Sequence, residues 1–183
     1  EPDDESARRS LGRIYENLER WEPLARLLDE DVEHGRADED AKLRLARILV
    51  ERLGRIKDAI PLLEAALEGT EVEEVIRLLG AALDGTDRAA ALKAGELLEG
   101  PLSSDPRRLV SVLERRYELV PVEADRIEIA ARIAALRDEE LQDGAFEAYR
   151  RLVLVAPNRA DARARLIELG EKDGRAVEVA TTL

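Results

Sequence analysis

The chain has 183 residues, long enough for one domain or one continuous repeat array with a substantial core. It is 45% hydrophobic but only 3% aromatic, and it carries 41 acidic against 29 basic residues for a net charge of −12. It has no cysteine, which excludes disulfides and thiol chemistry, and no apolar run near the ~20 residues that a membrane span needs. The acidic balance argues against a nucleic-acid partner, whose phosphates call for a basic face, and it repels anionic membranes.

The apolar residues are mainly Leu, Ala, Val and Ile, without the alternation of strands, so an all-α protein is expected. The chain opens Glu1-Pro2-Asp3 and holds no methionine, which reads as an excised or processed chain whose targeting signal lies elsewhere. A soluble protein is expected; the lack of cysteine leaves its compartment open, the cytoplasm being the default. Abundant Arg and Ala suit a high-GC bacterial gene, while scarce Asn, Gln, Met and Cys suit a designed or consensus sequence equally well.

The first helix is expected over 4–18, with Ala7, Leu11, Ile14, Tyr15 and Leu18 on one stripe. Trp21 follows a two-residue break, and Pro23 falls in the first turn of a helix with Leu24, Leu27, Leu28 and Val32 inward and Gly35 at its end. Asp38 or Asp40 starts a third, burying Ala41, Leu45, Ile48, Leu49 and Leu53 and stopping at Gly54. Asp58 is expected to cap the fourth, with Pro61 in its first turn and Leu62, Leu63, Ala66 and Leu67 inward. Thr70 and Glu73 have capping-box spacing for a fifth helix ending near Gly85. Thr86 or Asp87 starts a sixth, ending at Gly100-Pro101.

Asp105-Pro106 is a start signal for the helix bearing Leu109, Val112, Leu113 and Tyr117, which Pro121 ends. Residues 125–169 then give a helix, a polar break, a second helix, a proline stop and a third, and a last short helix begins about Asp173. Apart from Pro2 in the tail, every proline is placed at a helix start or just past an end, as the cost of an interior proline, about 3 kcal/mol, requires. The sum is about eleven helices on short connections, the pattern of an α-solenoid of stacked antiparallel hairpins. The chain reads as one helical-repeat domain over 1–183, part of a longer array, with units near 5–36, 38–69, 70–101, 104–138 and 142–171 and a partial unit at 173–183.

The chain also matches itself. Leu24-Ala-Arg-Leu27-Leu28 recurs 85 residues on as Leu109-Val-Ser-Val112-Leu113, and Arg44-Leu-Ala-Arg-Ile48 recurs as Ile129-Ala-Ala-Arg-Ile133. One inserted residue later, Ala59-Ile60-x-x-Leu63 recurs as Ala145-Phe146-x-x-Tyr149. This points to internal duplication, with 70–104 as a divergent middle.

Leu11-Gly12-x-x-Tyr15 resembles the first helix of a tetratricopeptide repeat (TPR). Ala145-x-x-x-Tyr149-x-x-Leu152 followed by Pro157, and Ala59-x-x-x-Leu63-x-x-Ala66, resemble its second helix. The match covers about 5–68 and 125–170; over 70–104 only the lengths fit, and HEAT-like repeats are the other family of this kind. The resemblance implies a right-handed superhelix whose first helices line a concave, peptide-binding groove. In that register the groove candidates are Arg9, Arg13, Asn17, Arg44, Glu51, Arg52 and Arg137. Such a basic set would favour acidic peptides or a terminal carboxylate; the plainer reading is a solvated face with local pairs. The Lys and Asn set of the two-carboxylate clamp of some family members is not matched.

Other patterns carry less. His34, the single histidine, follows Asp29, Asp31 and Glu33 but lacks the further nitrogen or sulfur ligands of a metal site. Asp138-Glu139-Glu140 with Asp143 lacks a calcium loop's central glycine and reads as a linker. Gly80 and Gly85 have phosphate-loop spacing without its lysine or leading strand. Ser103-Ser104 has no neighbouring base, and Trp21 and Tyr15 read as hairpin packing. No cofactor and no catalysis are expected. The expected function is a non-enzymatic scaffold for a protein or peptide partner. The alternatives are a spacer array that self-associates end to end, a helical domain appended to an enzyme, and a designed repeat protein.

Overall fold

The computed structural model describes residues 5–183; Pro2 and Asp4, where the sequence pattern begins the first helix, lie outside them. Among the described residues the fold is all-helical, with no strand. The helices are α1 (Glu5–Asn17), α2 (Trp21–Glu33), α3 (Glu39–Glu51), α4 (Ile56–Ala66), α5 (Val72–Leu83), α6 (Arg88–Glu99), α7 (Pro106–Leu119), α8 (Glu123–Leu136), α9 (Ala145–Val155), α10 (Ala160–Lys172) and α11 (Ala176–Thr182). They fall into two compact units that divide between Pro101 and Leu102. In each unit a helix packs on its sequence neighbours, and α3 with α5, α4 with α6 and α9 with α11 pack as next-but-one neighbours. This is the pattern of a helical repeat.

Several starts and stops fall where local chemistry puts them. Asp38 and Asp87 accept from the backbone N–H of Ala41 and Ala90, and Asp105 accepts from Arg108 with Pro106 leading α7. Asp38, not Asp40, therefore caps α3. Gly35 lies at φ +66° and closes α2: its N–H donates to Val32 O and that of Arg36 donates to Asp31 O, a turn that needs the left-handed region.

Four boundaries differ from those read in the sequence. Helix α4 starts at Ile56, not beyond Asp58, because Ile56 is drawn into the core; Asp58 instead holds Arg55 at 2.7 Å. Pro61 therefore lies inside α4, where it leaves the Lys57 carbonyl without its helical donor, on an exposed turn that water can reach. Thr70 makes no capping box: Glu71 is the N-cap of α5 without a side-chain bond, and its carbonyl accepts from Glu74 and Val75. The linker at Asp138 continues α8 as a π-helical turn, Arg137–Leu141, and the chain reverses at Gln142 and Gly144, both at positive φ. Helix α11 begins at Ala176, after Gly174 ends α10, rather than near Asp173.

In the first unit Leu24, Leu45, Leu63, Val75, Leu78, Leu79 and Leu98 are wholly buried or nearly so, and Leu113, Ile133, Leu152, Val153 and Leu166 are their counterparts in the second. Truncating any one to alanine would cost about 2–5 kcal/mol. The internal match holds in burial: Leu24 and Leu109, Ile48 and Ile133, and Ile60 and Phe146 are buried alike. Helix α1 departs from its expected inward stripe. Among the described residues it packs on α2 alone, so Leu11 and Ile14 stay exposed, as does Leu18 in the turn after its end. Only Gly12 is buried, against Leu24 and Leu27.

Polar bridges join helices two apart throughout each unit. In the first, Glu16–Arg44 joins α1 to α3, Glu22–Arg55 α2 to α4, Arg47–Glu74 and Glu51–Arg77 α3 to α5, and Glu64–Lys93 α4 to α6. In the second, Glu114–Arg151 joins α7 to α9, Asp138–Arg165 joins the π-helical turn to α10, and Glu147–Arg175 joins α9 to α11.

At Gly170 α10 leaves no room for a side chain against α11, since a Cβ there would overlap Val179 Cγ2 and lie 3.2 Å from the Phe146 ring. Gly170→Ala is expected to cost about 1–3 kcal/mol and to speed amide exchange across α11. Gly80→Ala, which meets nothing within 4 Å inside α5, should instead stabilise by about 0.5–1 kcal/mol. Urea unfolding and hydrogen exchange of the two variants check both.

Candidate partner-binding site

The candidate cleft lies in the first unit, between α1, the end of α2 and the start of α3, and encloses about 300 Å³. Arg9 and Arg13 stand one turn apart on α1 and line it with Arg8, Arg36 and Arg44. Arg8, Arg36 and Arg44 are held by carboxylates. Arg8 donates to Asp31 at 2.8 Å, to Glu30 at 3.1 Å and to the Leu27 carbonyl at 3.0 Å. Arg36 donates to the same Asp31 oxygen at 3.0 Å. Arg44 reaches Glu16 at 2.7 Å. Burial opposes the charge of Arg8, but Glu30 and Asp31 outweigh it and hold the guanidinium more firmly protonated than usual. Arg13 makes no hydrogen bond or ion pair with any described residue, so its guanidinium is turned to water.

The other residues singled out in the sequence serve elsewhere. Asn17 ends α1 and is exposed. Arg52 caps the end of α3 and lies 4.9 Å over the Trp21 ring. Glu51 accepts from Arg77 at 2.7 Å. Arg137 belongs to the second unit, on the π-helical turn, and pairs with Glu114 at 3.4 Å. The cleft thus brings together Arg9, Arg13 and Arg44. It adds Arg8 and Arg36, which groove register alone does not point to; their signal is Asp31, a carboxylate able to bind two guanidinia.

The remaining patterns resolve into local structure. His34 Nδ1 lies 2.6 Å from the Glu30 carbonyl at the end of α2. No group of three or more metal-ligating side chains occurs among the described residues. Asp138 is gripped at both oxygens by Arg165, at 2.6 and 2.8 Å, and that guanidinium holds its carboxyl below the usual range. Gly80 is inside α5, and Ser103 and Ser104 are exposed in a turn. Tyr15 is half-buried and lines an opening of about 450 Å³ with Leu11, Pro23 and Leu27. No helix of the described residues is long and apolar enough to cross a membrane. Compared with known protein families and with curated proteins, the sequence matches none.

Beside Glu51, Glu74 accepts two hydrogen bonds from Arg77, at 2.7 and 2.9 Å, and one from Arg47 at 2.8 Å. Arg77, against the opposing effect of burial and with the help of Arg47, lowers the Glu74 carboxyl to about 2 from an ordinary 4.5. A carboxyl held low in the folded state stabilises above its unfolded value and loses that contribution as pH falls from about 4.5 towards 2. Glu74→Gln should therefore cost on the order of 1 kcal/mol at pH 7, discounted because both arginines are about half-exposed. The gap from the parent protein should close by pH 2, as followed by urea midpoints across that range.

Proposed function

We propose that the chain is a non-enzymatic, TPR-like interaction scaffold that holds an acidic peptide segment of a partner protein in the arginine-lined cleft. The observation that carries this is Arg13, an unpaired guanidinium among arginines whose own carboxylates are already engaged. A peptide carboxylate placed there gains a charge-assisted bond without breaking an internal one. Arg9, one turn away, and Arg44 across the cleft, each keeping its own interaction, would add positive charge along the segment. In a chain of net charge −12, such a local basic lining selects by position what the whole molecule repels. Arg13→Glu should weaken binding of a fluorescent polyglutamate peptide by about tenfold or more with the far-ultraviolet dichroism unchanged, and Arg13→Lys should keep part of it. Equal binding by parent and Arg13→Glu would remove the cleft as the site.

A self-associating spacer is favoured by a separate observation: Ile14 on α1 and Leu18 just past its end are 51% and 61% exposed, and Val177 on α11 is 78% exposed. Apolar side chains left in water favour association. On this reading the sedimentation mass rises with concentration in the parent and stays monomeric in Ile14→Glu, Leu18→Glu.

A further inference from the structure

Another opening, of about 580 Å³, lies in the first unit between α2 and α4, over α3. Its floor is apolar: Ala25, Leu45 and Leu49 are almost fully buried. Its rim carries three carboxylates, Glu22, Asp29 and Asp58, against two arginines. Two of the carboxylates are spoken for, because Arg55 holds Asp58 at 2.7 Å and Glu22 at 3.3 Å, and Arg26 lies 3.6 Å from Glu22. Asp29 accepts no hydrogen bond and forms no ion pair among the described residues; Arg55 reaches it only as a charge at a distance.

The duplicated half shows what such a carboxylate binds. Continuing the 85-residue match by one residue past Leu28 and Leu113 pairs Asp29 with Glu114. In the second unit Glu114 is held by two guanidinia, that of Arg137 at 3.4 Å and that of Arg151, which joins α9 to α7. By the same match the first unit has Ala65 on α4 where α9 has Arg151. Where α9 has Arg151, α4 therefore has only a methyl group. Arg52, the counterpart of Arg137, lies over Trp21 instead. The first unit thus keeps the carboxylate and the apolar floor and lacks both guanidinia.

We infer that the opening between α2 and α4 is a docking site for an arginine-bearing segment of a partner protein, its guanidinium on Asp29 and its aliphatic stem along Ala25, Leu45 and Leu49. Arginine fits this place because a long apolar stem can lie on the floor while a planar, always-charged head meets a carboxylate at the rim. The net charge of the rim, three carboxylates against two arginines, asks for one added cation. The site does not depend on the acidic-peptide cleft, so either can fail without the other.

The test is fluorescence anisotropy with a blocked, labelled peptide carrying a single arginine among leucines and alanines, beside the same peptide with neutral citrulline in its place. Saturable binding of the arginine peptide is expected, at least tenfold tighter than the citrulline peptide and weakening with salt. Asp29→Asn should lose about tenfold. Ala65→Arg, which restores the arginine of the second unit on an exposed helical position, should lose at least as much, while Arg13→Glu should leave the affinity unchanged. The inference is overturned if the arginine peptide does not bind, if citrulline serves equally, or if Asp29→Asn and Ala65→Arg bind like the parent.

Discussion

Among the described residues every α-helix is short, from seven residues in α11 to 14 in α7 and α8, and helices of such length are marginal in water by themselves. What makes them persist is removal of leucine-rich faces from water by the helices before and after. The wholly buried leucines recur on successive helices, Leu24 on α2, Leu45 on α3, Leu63 on α4 and Leu78 with Leu79 on α5, so each helix supplies part of its neighbour's cover. Ala46, Ala59, Ala82, Ala91 and Ala94 lie among them, also buried, and these small side chains allow backbones to approach. With aromatic residues at 3%, the core relies on many aliphatic contacts rather than a few large anchors.

Apolar burial alone does not fix how far one helix slides along another, and here the polar bridges matter. The pairs Glu16–Arg44, Arg47–Glu74, Glu64–Lys93, Asp138–Arg165 and Glu147–Arg175 are separated by 27 to 29 residues. In these pairs the recurring separation joins a helix to the one two places on within its own unit, while Glu22–Arg55 and Glu114–Arg151 do so over 33 and 37 residues. Exposed pairs of this kind contribute about 0–1 kcal/mol each, so they select register more than they supply stability. The two-oxygen grips of Arg77 on Glu74 and Arg165 on Asp138 are directional as well as attractive. Arg13 and Asp29 differ from their neighbours in that each lines an opening without joining such a bridge.

The two halves of the duplication share a core and differ at the rim. Leu24, Ile48 and Ile60 keep buried apolar counterparts in Leu109, Ile133 and Phe146, as packing demands. The polar positions have moved apart: Ala65 stands where Arg151 pairs with Glu114, and Arg52 covers Trp21 where Arg137 turns to Glu114. A surface position carries little packing cost when it changes, so an ion pair of one copy becomes an open carboxylate in the other. The two openings to which a partner segment is assigned lie at such positions, over buried apolar residues of α2 and α3.

The sequence by itself determined the helices, their order and most of their ends, because a capping Asp, a left-handed Gly35 and a proline after the last turn act within a few residues of themselves. It also placed much of the buried face of α2, α3, α4 and α7, Leu24, Leu45, Leu63 and Leu113 among it, since a 3.6-residue period needs no partner to be read; Leu62, placed inward by the same pattern, is only half-buried. Where burial by a distant helix competed with a local signal, burial prevailed. Ile56 drew the start of α4 forward past Asp58 and left Pro61 inside the helix, and Val75, fully buried near the start of α5, follows a Glu71 cap in place of Thr70. The exposed stripe of α1 was equally out of reach of periodicity, which shows that a face is apolar and not whether anything covers it. The cleft was half legible: Arg9, Arg13 and Arg44 share it, while Arg8 and Arg36 enter through Asp31. That Arg8 and Arg44 are engaged while Arg13 is not came from packing alone, because their carboxylates lie on other helices, 23 and 28 residues away, at distances no local pattern records.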